Sequence, residues 1–194
     1  MKKLLQIIIL VFIISCDSKK SSSDLADKEF EICIESKYSE RIENGPAGGN
    51  LTDKKNIHKL LELALVKEGY LTDITKNGYL KLFDKIKNKD IDSDFFDKLK
   101  LQLGFDPFLL LPFIGQAQLK CYDQIVLREK IVDKTSWQYK VMESLWEIEK
   151  SGDLNFNDGN LANALNSIPE KKFEKMMYRK LFLDVIYFHH NYKK

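Results

Sequence analysis

Apolar residues in this chain recur every three or four positions, and segments rich in Gly, Pro, Asn or Asp separate each such run from the next. That period puts the apolar side chains on one face of a helix, whereas a half-buried strand needs a period of two. Thr52 opens the clearest run, with Ile57, Leu60, Leu61, Ala64 and Leu65 on one face and Gly69 as its stop. Tyr79, Leu82, Phe83 and Ile86 make a second run, and Phe95, Phe96, Leu99 and Leu103 a third that starts from Ser93. Leu119, Tyr122, Ile125, Val126 and Val132 follow within 116–132, then Trp137, Val141, Leu145 and Ile148. A short helix ends at Ile168, and Pro169 starts the last one, whose stripe includes Phe173, Met177, Leu181, Val185 and Phe188. The fold predicted is all-α: a single globular multi-helix domain over 24–194.

The first of its helices is predicted from Asp24, behind Ser23 as cap, to Glu43, because Phe30, Ile34, Tyr38 and Ile42 are four apart. The alternation of Phe30, Ile32 and Ile34 also fits a strand, and the helix is preferred. The loop Asn44-Gly-Pro-Ala-Gly-Gly-Asn50 breaks the pattern. It lacks the Gly-Lys-Ser/Thr ending of a phosphate-binding loop.

Ahead of the domain, Lys2 and Lys3 precede an apolar run over 4–14 with only Gln6 inside it, and Ile13-Ile14-Ser15-Cys16 closes it. A charged start, an apolar middle and a small residue before the cut form a secretory signal peptide. The run is shorter than the ~20 residues that span a bilayer. With aliphatic residues before Ser15 and Cys16, the segment resembles the lipobox of bacterial lipoproteins. The resemblance covers residues 1–16 alone and implies a diacylglyceryl group on the Cys16 sulfur, cleavage after Ser15 and acylation of the new amino group. It implies an extracytoplasmic protein of the bacterial cell envelope, held to the membrane through Cys16. Two or more acyl chains anchor stably where one does not. Asp17 resembles an inner-membrane retention signal of some lipoproteins, and the choice of leaflet stays open. The polar stretch 16–23, with three consecutive serines, is predicted to be a flexible tether.

Removing the first 15 of 194 residues leaves 179, the size of one domain, and 44% hydrophobic residues suffice for a sizeable core. Lys2 and Lys3 leave with the signal, so 31 Lys+Arg against 29 Asp+Glu becomes 29 against 29. Nucleic acid as a partner is disfavoured, since it calls for a concentrated basic face. Cys33 and Cys121 are the other cysteines. Outside the cytoplasm they have two readings, a disulfide or two separate buried thiols.

Candidate sites are few. The most apolar stretch of the mature chain, 105–114, holds Phe105, Phe108, Leu110 and Phe113 around Pro107 and Pro112. It is predicted to be a buried central piece, with an exposed apolar contact site as the alternative. Asp153-x-Asn155-x-Asn157-Asp158-Gly159 has the spacing of a calcium loop, but its glycine comes one place late and Ala164 stands where the last carboxylate belongs. No metal site is predicted there. His58 and Glu62, four apart, are read as an exposed pair, and His189-His190 as a solvated terminal pair. Asp90, Asp92, Asp94 and Asp97 suit a helix start. Trp137 and Trp146 fall on nearly opposed faces, one for the core and one for contact. No catalytic motif, such as a Gly-x-Ser-x-Gly elbow, is present, and no cofactor is predicted. The expected role is therefore protein binding, as an accessory, scaffold or inhibitor-like module. Binding of a lipid or other apolar ligand through 105–114 is the alternative.

Overall fold

The computed structural model describes residues 2–45, 47–107, 110, 117–151 and 159–192, with side chains from 22 to 189 within them. Its described residues form helices and no strand, and the protein is all-α as predicted. Helix α1 runs Lys2–Glu43, followed by α2 Leu51–Lys55, α3 Ile57–Lys67, α4 Lys76–Lys87 and α5 Phe95–Leu103. Then come α6 Gln118–Asp123, which continues into a π-helical turn Gln124–Arg128, α7 Trp137–Ser151, α8 Asn160–Ser167, α9 Glu170–Phe173 and α10 Met176–Tyr192.

The core is built around α10. Its sequence predicts an apolar stripe, but every residue from Leu181 to Tyr187 is buried, Asp184 included. A helix that is apolar nearly all round belongs inside a bundle rather than on its surface. Phe30 of α1 stacks on Tyr178, Phe173 and Phe182 flank Tyr79, and Phe96 meets Tyr187 edge-on at 5.3 Å between ring centres. Helix α1 turns Ala26, Phe30, Ile34 and Tyr38 inward, while Ile32 is 53% exposed. Strand-like alternation is thereby excluded.

Three boundaries differ from prediction, each for a local reason. No Gly or Pro occurs between residues 2 and 44, so nothing breaks α1 before Gly45. The segment 16–23, expected to be a flexible tether with Ser23 as a cap, is part of that helix. The run expected from Thr52 starts one residue earlier, behind Asn50, whose Oδ1 accepts from Asp53 N at 2.7 Å. It divides at Asn56, whose amide reaches back to Thr52 O. The last helix is likewise divided. The Arg179 guanidinium takes the carbonyls of Phe173 and Glu174 at 2.9 and 2.6 Å, which closes α9 and lets α10 start afresh at Met176.

The glycine-rich loop before α2 has a packing role. A Cβ on Gly49, where φ is +61°, would overlap the Phe105 ring. Gly78, in the first turn of α4, is pressed against Asp73, whose carbonyl oxygen occupies the place a Cβ would need. Both are sites where the backbone must come closer than any side chain permits.

Cys33 and Cys121 are joined in a disulfide that ties α1 to α6, with Cα atoms 5.7 Å apart. The 88-residue separation makes it a long loop, for which the chain-entropy model gives a contribution of about 4–5 kcal/mol. Among the described residues no helix is long and apolar enough to cross a membrane.

Candidate functional site

Two adjoining surface grooves, of about 500 and 650 Å³, share Glu35, Lys55, His58 and Lys180 and so form one continuous channel. One wall is α1. Glu31, Glu35, Ser39 and Glu43 line it at four-residue steps, which places them on a single stripe. The opposite wall is α2 and α3, with Leu51, Lys55, Lys59 and Leu63. The start of α10 closes the bottom through Met176, Met177, Arg179 and Lys180. Helix periodicity explains the walls: on both sides the residues that line the channel are those left facing solvent once the apolar stripe has turned inward.

Beneath the channel lie two sets of buried polar groups. In the first, His58 Nε2 is 2.7 Å from Asp184 Oδ1, and the Tyr38 hydroxyl donates to Asp184 Oδ2. Gln118 Nε2 donates to Tyr38 Oη at 2.9 Å. Burial holds the Asp184 carboxyl above the usual aspartate range, outweighing the opposing pull of His58 and Tyr38. Burial, then the charge of Asp184, also raises the Tyr38 hydroxyl well above the ordinary tyrosine value. Gln118 Oε1 is the one fully buried side-chain oxygen or nitrogen without a partner among the described residues.

In the second set, the Arg179 guanidinium meets both Glu62 oxygens, at 2.7 and 3.1 Å, and the Tyr79 hydroxyl donates to Glu62 Oε1 at 2.5 Å. Such a two-pronged pair fixes orientation as well as charge. Burial alone would lower Arg179, but its bonds with Glu62 prevail and raise it, so the cation is retained. Between the two sets, Lys180 Nζ bonds Glu35 at 2.5 Å and sits 4.5 Å above the Tyr38 ring centre.

His58 and Glu62 are thus not the exposed pair expected from their spacing. They are 4% and 2% exposed, and each turns to a partner on α10 rather than to the other. Asp184 sits within the run Leu181-Phe-Leu-Asp-Val-Ile-Tyr187, where a lone acid among apolar neighbours is a visible sign of a buried polar contact. No family model, curated protein or solved structure matches this chain.

Of the described residues singled out from sequence, Cys33 and Cys121 are joined, and His58, Glu62 and Leu110 line the channel. Phe105 and Leu110 are 6% and 1% exposed and belong to the core, so neither is an exposed apolar contact. The reason is the glycine loop, which covers Phe105 with Gly49 and sets Gly45 beside Leu110. Phe108, Phe113 and the side chain of Cys16 lie outside the described residues, as do 152–158 of the calcium-like loop and the His190 side chain. His189 is half-buried. In the acidic cluster, Asp94 pairs with Lys98 at 2.8 Å and Asp97 with Lys100 at 3.9 Å, both at the surface. Trp137 and Trp146 are both half-buried against the core, where their spacing assigns one of them to a contact. Among the described residues no three His, Cys, Asp or Glu side chains form a metal-binding group.

The His58 ring bonds Asp184 and packs edge-on against Tyr38. The channel has a floor stiffened by the buried Arg179–Glu62 ion pair and the hydrogen bonds of His58 and Tyr38 to Asp184, and walls of exposed, oppositely charged side chains.

Proposed function

We propose that the protein is a membrane-anchored extracytoplasmic lipoprotein that works as a protein-binding accessory module, with the channel between α1 and α2–α3 as its binding surface. The observation that carries the reading is that channel, open along its length, with wall side chains exposed above a fixed floor. The Ile13-Ile14-Ser15-Cys16 segment supports the anchor. The Cys33–Cys121 bridge suits an oxidising compartment. The apolar-ligand alternative draws no support from Phe105 and Leu110, which are spent on the core.

Cys16→Ala should move the protein from the detergent phase to the aqueous phase on partitioning, and unchanged partitioning would remove the anchor. A photo-crosslinker at position 59 or 63 should capture one recurrent envelope protein. Position 101, on α5 and not lining the channel, should capture none. Equal capture from all three positions, or none from any, would overturn the binding role.

A further inference from the structure

We infer that the channel holds an extended segment of a partner protein in which basic and acidic residues alternate. This deepens the protein-binding reading above and rests on it.

The two walls have opposite sign. Glu31, Glu35 and Glu43 are exposed on α1, and Lys55 and Lys59 on α2–α3. Glu35 is held by Lys180, while the side chains of Glu31, Glu43, Lys55 and Lys59 form no hydrogen bond or ion pair among the described residues. The walls do not neutralise each other across the gap, so each keeps its field along the channel. A ligand of one sign would be attracted by one wall and repelled by the other. Only a ligand carrying both signs, suitably spaced, satisfies the two together.

Length decides between a small zwitterion and a chain. From Glu31 to Glu43 is twelve residues of helix, or ~18 Å at ~1.5 Å each. A single amino acid or lipid headgroup would meet one Glu–Lys step and leave the remainder empty. An extended peptide advances ~3.3 Å per residue and points successive side chains to opposite sides, so five or six residues fill the channel. Alternate residues then face alternate walls, basic ones towards α1 and acidic ones towards α2–α3. Exposed apolar residues stand at the two ends, Leu51 at one and Leu63 with Ile74 at the other, at 57%, 49% and 41% exposure. They provide seats for an apolar residue on either side of the charged stretch.

The test uses the full disulfide-bonded chain in detergent micelles and three fluorescent octapeptides, read by anisotropy. One is Leu-Lys-Asp-Lys-Asp-Lys-Asp-Leu, the second is its block permutation Leu-Lys-Lys-Lys-Asp-Asp-Asp-Leu, and the third replaces every charge by Ser. The alternating peptide should bind at least tenfold more tightly than either control. The double variant Lys55→Glu/Lys59→Glu, whose side chains are exposed and outside the core, should lose at least tenfold. Adding Glu31→Lys/Glu43→Lys to it should restore binding, because an alternating peptide meets exchanged walls by sliding one residue. Equal affinity for the alternating and block peptides, or no rescue in the fourfold variant, would overturn the charge pattern. Absence of binding by all three peptides would also overturn it. In each case recurrent crosslinking from positions 59 and 63 alone would leave the wider binding role standing.

Discussion

Asp27 and Asp184 both lie in the seam where α1 meets α10, both are almost fully covered, and they settle their charge in opposite ways. Asp27 receives Lys172 at 2.5 Å, Lys175 at 3.1 Å and the Tyr178 hydroxyl at 2.6 Å. Burial works to raise its carboxyl, but the bonds from Lys172, Tyr178 and Lys175 prevail and hold it below the usual aspartate value. Asp184 has an imidazole and a phenol and no ammonium bonded to it, and there burial prevails. What separates the two is which effect prevails: at Asp184 the loss of water around the anion outweighs the pull of His58 and Tyr38, and at Asp27 two lysines and a tyrosine together outweigh it. Lysine reaches Asp27 because that end of the seam adjoins solvent, where Lys175 is half exposed. Around Asp184 the neighbours besides His58 and Tyr38 are the apolar residues of α10, and Lys180 is turned to Glu35.

The largest expected effect separates the ends by removing one partner from each. His58→Ala leaves Asp184 buried with the Tyr38 hydroxyl alone, and near neutral pH it should cost about 3 kcal/mol in urea unfolding. Lys172→Ala leaves Lys175 and Tyr178 on Asp27 and should cost less than about 1 kcal/mol. Equal costs would break the contrast. Next come the tyrosines. Tyr38→Phe takes a donor from Asp184 and an acceptor from the Gln118 amide, for a loss of about 2 kcal/mol, whereas Tyr178→Phe should lose about 1 kcal/mol.

A pH series then sharpens the comparison through its sign. Asp27 is lowered from 3.8, so below about pH 4 the unfolded chain binds the proton more readily than the folded one. The stability Asp27 contributes is present above that pH and is lost as the pH falls through its folded value. Asp184 is raised from 3.8, so the folded state holds its proton longer, and stability is lost as the pH rises above about 4. Melting temperatures followed across this range should show Asp27→Asn blunting the acid loss and Asp184→Asn blunting the loss on the other side. The same slope in both variants would contradict the assignment. The smallest effect is ionic. Raising salt to about 1 M shortens the screening length to ~3 Å, and a double-mutant cycle on Asp27 and Lys175 should shrink by a few tenths of a kcal/mol. The cycle on Asp184 and His58 should hold.

Much of the fold could be read from spacing. The inward faces of α1, α4 and α5 coincide with the predicted stripes, and Gly69 adopts the left-handed conformation just past α3. The site was less legible because its polar contacts are tertiary. His58 meets Asp184 across 126 residues and Glu62 meets Arg179 across 117. Spacing along one helix assigns a charged residue to solvent by default and holds no information about a partner that far away. The walls of the channel pose the same problem in reverse. Glu31, Glu35 and Glu43 lie off the apolar stripe of α1 and have no sequence reading, nor do Lys55 and Lys59; only the packing of α1 beside α2–α3 turns two faces into one channel.

The close approach at Gly49 and Gly78 bears on how this sequence can diverge. Surface positions such as Leu101 are free to drift, and core positions can exchange one hydrophobe for another of similar volume. A side chain at 49 would run into the Phe105 ring and one at 78 into the Asp73 carbonyl, so at these two places descent has no synonym to offer. In descendants too distant to be recognised by overall likeness, a glycine 29 positions ahead of another, the second one turn into a helix, should outlast the rest as a fingerprint of the fold.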